Sequence, residues 1–184
     1  MKTNTRKLCE AGIILAILLV SQIFKGVSVY ITGPIVNACL ILATLLIDRR
    51  YGILLSIIAP VTSFIITGTP IISAVPIVMP LIMIGNIILC VMTDLFYDRK
   101  SNKKLIAGLA SGSVLKGIFM GGTIVIAISR TITEAHPLFK MLPVFKMTFS
   151  VTQLVTALIG SVIAYLIYFP IKKYVDTLHN GETK

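Results

Sequence analysis

The sequence predicts an all-α polytopic membrane protein with six transmembrane helices and both termini on the cytoplasmic side. Three observations carry that expectation. Of 184 residues, 56% are hydrophobic and only 13% are charged, with a mean hydropathy of +0.96; a soluble domain carries about a quarter charged residues. The apolar residues form six blocks, each close to the roughly 20 residues that a helix needs to cross about 30 Å of hydrocarbon. Basic residues gather in alternate connections between those blocks. One integral membrane domain, residues 1–184, follows, and six spans leave no room for a soluble catalytic domain.

The blocks fall near residues 8–24, 27–47, 51–67, 71–96, 105–128 and 147–169. The first follows Lys2, Arg6 and Lys7, as a signal peptide would, but Lys25 and Gly26 lead at once into the next apolar run and no A-x-A-like cleavage site is evident. It is therefore a span. Its small residues Ala11, Gly12 and Ala16, with Gly12 and Ala16 one turn apart, form a strip for another helix, of this chain or of a partner. Gly33 and Pro34 interrupt the second block early, and Asp48, Arg49 and Arg50 join it tightly to the third, which holds Pro60. Pro70, Pro76 and Pro80 cluster around the entry to the fourth. The fifth carries Gly108, Gly112, Gly117, Gly121 and Gly122, at spacings that let helices approach closely. A long connection with Pro137 and Pro143 precedes the sixth.

With both termini inside, 12 of the 17 basic residues lie in inner segments: Lys2, Arg6, Lys7, Arg49, Arg50, Arg99, Lys100, Lys103, Lys104, Lys172, Lys173 and Lys184. Outer loops hold Lys25, Arg130, Lys140 and Lys146, while Lys116 sits inside the fifth span. The positive-inside rule thus sets the N-in, C-in orientation. The net charge of +10 is topological, and nucleic acid is not an expected partner. In this orientation seven of the eight prolines, all but Pro170, fall in the outer half or beyond it. Helix-breaking proline survives at membrane depth where protein or a wet cavity satisfies the freed backbone, so the outer half is expected to contain a cavity.

Polar residues inside the spans point to the same place. At a rise of 1.5 Å per residue, Asn37 lies about 5 Å below the break at Pro34, Thr62 and Ser63 about 7 Å below Thr67, and Gln153 about 9 Å below Met147. Asn86 and Lys116 fall roughly 15 to 20 Å down. Such groups are costly in hydrocarbon, about 2.5 to 3.5 kcal/mol for a central lysine, unless they face a bundle interior or cavity. Asn86 and Gln153 equally suit bridges between two helices, and Thr62 and Ser63 suit bonds back to their own helix. Lys116 has no acidic residue at its depth; snorkelling toward an interface is one resolution, and an anionic or carbonyl-bearing group on a substrate is the other.

Enzyme chemistry is not expected. His136 and His179 both lie in hydrophilic segments, which leaves no intramembrane cluster for a metal or a Ser-His pair. Cys9, Cys39 and Cys90 sit one to a span without metal-ligand spacing. No Walker motif occurs, so any ATP is used elsewhere, and neither an inverted repeat nor a mid-depth ion-coupling carboxylate is present.

The chain resembles the substrate-binding (S) component of energy-coupling factor (ECF) transporters of prokaryotes. The resemblance spans nearly the whole chain in length, span number and orientation. It rests locally on Ala11, Gly12 and Ala16, on Gly33-Pro34-Ile35-Val36-Asn37-Ala38, and on the stretch from Tyr51-Gly52-Ile53 through Pro60, Thr67, Gly68 and Pro76 to Gly85 and Asn86. The strip on the first span reads Gly-xxx-Ala where Ala-xxx-Ala is usual. The resemblance implies a multi-pass protein of the cell membrane that binds a vitamin or related micronutrient with high affinity in an outward-facing pocket. It implies association through the first span with a transmembrane coupling (T) protein and two cytoplasmic ATPases, which use the ATP, and no cofactor held by this chain. Mapped here, residues 25–32, 68–75 and 129–146 form lids. Asn37, Thr62, Ser63, Asn86, Lys116 and Gln153 line the cavity, and Tyr30 is a stacking lid. Two other functions stay open: a small stand-alone carrier or facilitator, and a structural membrane subunit without a ligand.

Overall fold

The computed structural model describes residues 2–26, 28–98 and 101–181; Arg99, Lys100 and Lys184, named above, and Val27, the first residue of the second block, lie outside them. Among the described residues eight α-helices follow in order: α1 (Lys2–Ile23), α2 (Val29–Leu46), α3 (Arg49–Thr67), α4 (Pro70–Ala74), α5 (Val78–Leu95), α6 (Asn102–Thr131), α7 (Leu142–Phe149) and α8 (Val151–Gly181). Single 3-10 turns precede α2 and α7. Among the described residues, α2, α3, α5, α6 and the stretch Phe139–Lys172 are long and apolar enough to cross a membrane. The helix α1 is not among these five: it carries Arg6, Lys7 and Glu10, and its uncharged part from Ala11 to Ile23 is only about 20 Å long.

Helix ends follow from local chemistry. Ser28 caps α2 by accepting from Tyr30 N (3.2 Å), and Asp48 caps α3 by accepting from Arg50 N (3.0 Å). That backbone donor, with Lys7 and Arg50 nearby, holds the Asp48 carboxyl below its usual range. Gly68 ends α3 at φ 56°, in the left-handed region that suits glycine. The expected fourth span, 71–96, divides into α4 and α5, because Val75 precedes Pro76 and is driven to φ −133°, ψ 77°. The expected sixth span, 147–169, contains a break: Ser150 leaves helical geometry and separates α7 from α8, its hydroxyl donating to Lys146 O.

At one end of the bundle, ion pairs join the helix ends: Lys7 to Asp48 (3.7 Å), Arg49 to Asp94 (3.2 Å) and Lys104 to Asp98 (2.9 Å). These pairs are solvent-accessible and contribute at most about 1 kcal/mol each. At the opposite end α4, α7 and the second half of α6 pack Ile71, Ile72, Val75, Met120, Ile124, Ile128, Phe145 and Phe149 into an apolar cap.

Close helix approaches set the interior between these ends. Gly160 of α8 lies so near α2 that a Cβ there would stand 2.6 Å from Asn37 Cβ and 2.7 Å from Pro34 O. Glycines of α6 divide by face: Gly108 and Gly112 press on Phe96, Met92 and Leu89 at the α5 side, while Gly117 and Gly121 press on Leu154 and Ser150. Lys116 therefore stands on a helix clamped from two sides. Gly160→Ala is expected to lower stability by about 1–3 kcal/mol through overpacking, read as a lower melting temperature in detergent. Gly12→Ala, where nothing lies within 4 Å, is the matched control and should not lower it.

Candidate functional site

A cavity of about 240 Å³ lies beneath the apolar cap, between α2, α3, α5, α6, α7 and the first turn of α8. Its floor is a polar cluster from three helices. Lys116 of α6 is 2% exposed, and its Nζ donates to Asn37 Oδ1 of α2 (2.5 Å) and to Asn86 Oδ1 of α5 (2.7 Å). An ammonium group only donates, so its position turns both amide oxygens toward it. The two amide nitrogens are left as donors on the cavity side, without a hydrogen-bond partner among the described residues. Lys116 retains a third N–H.

The sequence suggests Asn37, Lys116 and Asn86 one at a time, by depth. Their convergence depends on packing: Gly160 and Gly33 bring α8 against α2, and Gly85 lets Met120 and Lys116 of α6 close on α5. A buried amine held by two neutral carbonyls has its hydrogen bonds largely satisfied but its charge uncompensated, since no carboxylate among the described residues forms an ion pair with it.

Toward the cap, the cavity wall contains Gln22, Lys25, Thr32, Ser63, Thr69 and Gln153. Lys25 reaches back from the turn after α1 to donate to Ser63 Oγ at 2.6 Å, and burial pushes its amine below the ordinary lysine range. Gln22, 1% exposed, donates through Nε2 to Ala59 O at 2.9 Å. Its Oε1 is buried without a hydrogen-bond partner among the described residues. Between these polar poles the lining is apolar, with Val29, Val36, Ile82, Phe145 and Phe149.

Of the residues expected from sequence, Asn37, Ser63, Asn86, Lys116 and Gln153 stand around this one cavity, and Thr62 and Tyr30 do not. The Thr62 hydroxyl donates to Ile58 O and Ala59 O of its own helix (3.1 Å each). Tyr30 is 53% exposed, with its hydroxyl 3.4 Å from Thr152 Oγ1. Within the lid stretches, Thr69, Ile71, Ile72 and Val144 contribute to the wall. Gln22, Phe145 and Phe149 were not singled out from sequence. Gln22 closes the apolar run that begins at Ala11 of α1, a signal that the partner-facing reading of that helix obscures.

The small-residue strip on α1 is split by the fold. Ala11 is buried toward the bundle, whereas Gly12 and Ala16 are exposed on the outer face beside Ile13 and Ile17. Cys39 and Cys90 are buried packers, and Cys9 is exposed.

Removing one acceptor from the buried amine should cost more than removing the pair. Asn86→Leu is expected to destabilise by about 1–3 kcal/mol, and Asn86→Leu combined with Lys116→Met to recover much of that loss. Melting temperatures of the two single variants and the double variant check this.

A family model described as "ECF transporter, substrate-specific component" matches residues 6–172. No curated protein and no solved structure matches the chain.

Proposed function

The chain belongs to the family of substrate-specific components of ECF transporters, which are transporter subunits and not enzymes, and we propose that it is the membrane-embedded subunit that captures a micronutrient for an ECF-type importer. The observation that carries this reading is the Lys116, Asn37 and Asn86 floor beneath a cavity of about 240 Å³. Polar groups from three helices are costly at membrane depth and are expected to face a site or one another; these bond to one another and line a cavity.

In the proposed topology α1 is the first of six spans and both termini are cytoplasmic. The orientation is supported by the ion-paired, lysine- and arginine-rich end formed by the α2–α3 and α5–α6 connections. The cavity then opens toward the exterior, covered by α4 and by α7 with the turn that precedes it. The substrate is a vitamin or a related micronutrient. Gly12 and Ala16, exposed on α1, face the transmembrane coupling protein, and two cytoplasmic ATPases on the inner side supply the energy, since no nucleotide motif occurs in this chain. Lys116→Ala should weaken substrate binding tenfold or more while the protein remains folded, measured by equilibrium binding to protein in detergent. Vesicles that hold this chain with the coupling protein and both ATPases should take up substrate only with ATP; equal uptake by this chain alone would contradict the proposal.

A further inference from the structure

Resting on the reading above, we infer that the occupant of the cavity is a compact carboxylate, inserted acid-first so that its carboxylate meets Lys116 Nζ and the amide nitrogens of Asn37 and Asn86. The floor selects for charge. Each asparagine has its oxygen committed to Lys116 at 2.5 and 2.7 Å, so what faces the cavity is donors: two amide nitrogens without partners and the remaining ammonium N–H. A neutral carbonyl would accept from this set but leave the buried positive charge uncompensated. A carboxylate accepts and neutralises at once, which is the condition under which burying a charge is tolerated. At the floor one negative charge matches the one ammonium, since Lys25, the other cation of the lining, is hydrogen-bonded to Ser63 at the opposite pole.

Size and lining constrain the remainder of the molecule. About 240 Å³ lies below the roughly 300–1,000 Å³ of sites for drug-sized ligands, which favours a small ligand over a large fused-ring one. Along α2 the cavity runs from Val29 to Asn37, about 12 Å. Val36, Ile82, Phe145 and Phe149 line its middle, which suits an aliphatic body. Lys25 and Ser63, bonded to each other at the other pole, offer donors to a hydroxyl or amide oxygen at the far end of the ligand.

The test uses matched acid and neutral probes on the full chain in detergent: pantothenate against pantothenol, biotin against biotinamide, and riboflavin as a large neutral probe, with mass spectrometry of molecules that co-purify. The expected result is that an acid of the panel binds at least tenfold more tightly than its neutral partner, or that a small carboxylic acid co-purifies. With whichever acid binds, Lys116→Gln should erase the preference while Lys140→Gln, on the exposed outer loop, keeps it. Asn86→Asp provides a second variant: its carboxylate would pair with Lys116, preserve the fold and abolish acid binding. Equal binding of acid and neutral partner, tight riboflavin binding, a neutral co-purifying ligand, or acid binding unchanged in Asn86→Asp would overturn the inference while leaving a substrate-binding subunit intact. No binding from the panel together with nothing co-purified would overturn both.

Discussion

A lysine amine enclosed near the middle of the helical bundle, with only neutral oxygens around it, is the constraint on which this molecule turns. A charge in that position is tolerated only where the chain supplies hydrogen bonds and a route to compensation. Asn37 and Asn86 supply the first. The adjoining cavity supplies the second, because it gives a counter-charge somewhere to sit.

The helix contacts are arranged around that requirement. The lysine's helix, α6, is wedged by glycines against α5 on one side and α8 on the other, and the amine itself is held by Asn37 and Asn86. Likewise Asn37 is held by the approach of Gly160 to the backbone of Pro34. The irregular elements collect at the other side of the cavity: the turn carrying Lys25, the break at Pro76, the short α4 and the α7–α8 break at Ser150. Breaks in backbone hydrogen bonding at these places let apolar side chains such as Ile71, Phe145 and Phe149 cover the cavity instead of continuing as helix. In this arrangement the polar floor and the segmented cover are separate parts of one chain.

Much of this was legible in the sequence, for physical reasons that differ by residue. Hydropathy located the long helices, since apolar length is read directly against the thickness of hydrocarbon. Depth counting brought out Asn37, Asn86 and Lys116, because a polar group in an apolar helix stands out whatever its partner. It did not distinguish Ser63, which faces Lys25 across the cavity wall, from its neighbour Thr62, which bonds to its own helix; adjacent residues differ by about 100° around the helix axis and hardly at all in depth. The division of the fourth block at Val75 was signalled by Pro76, yet its consequence, a separate α4 covering the cavity, depends on tertiary packing. Gly160, which sets the α2–α8 distance, is a single glycine in an apolar run and gives no local signal. Gln22 and Ala11 show the same limit: which face of α1 meets the bundle is decided by contacts with α3 and α2, not by the composition of α1.

The most direct test is an experimental density map of the full chain loaded with its own substrate, at a resolution that places side-chain amines. The account predicts ligand density in contact with Lys116 Nζ, at about 2.7–3.2 Å, with Asn37 and Asn86 still bonded to the same amine. Substrate bound elsewhere in the bundle, or a Lys116 amine that contacts only the two asparagines while the substrate sits out of its reach, would contradict it.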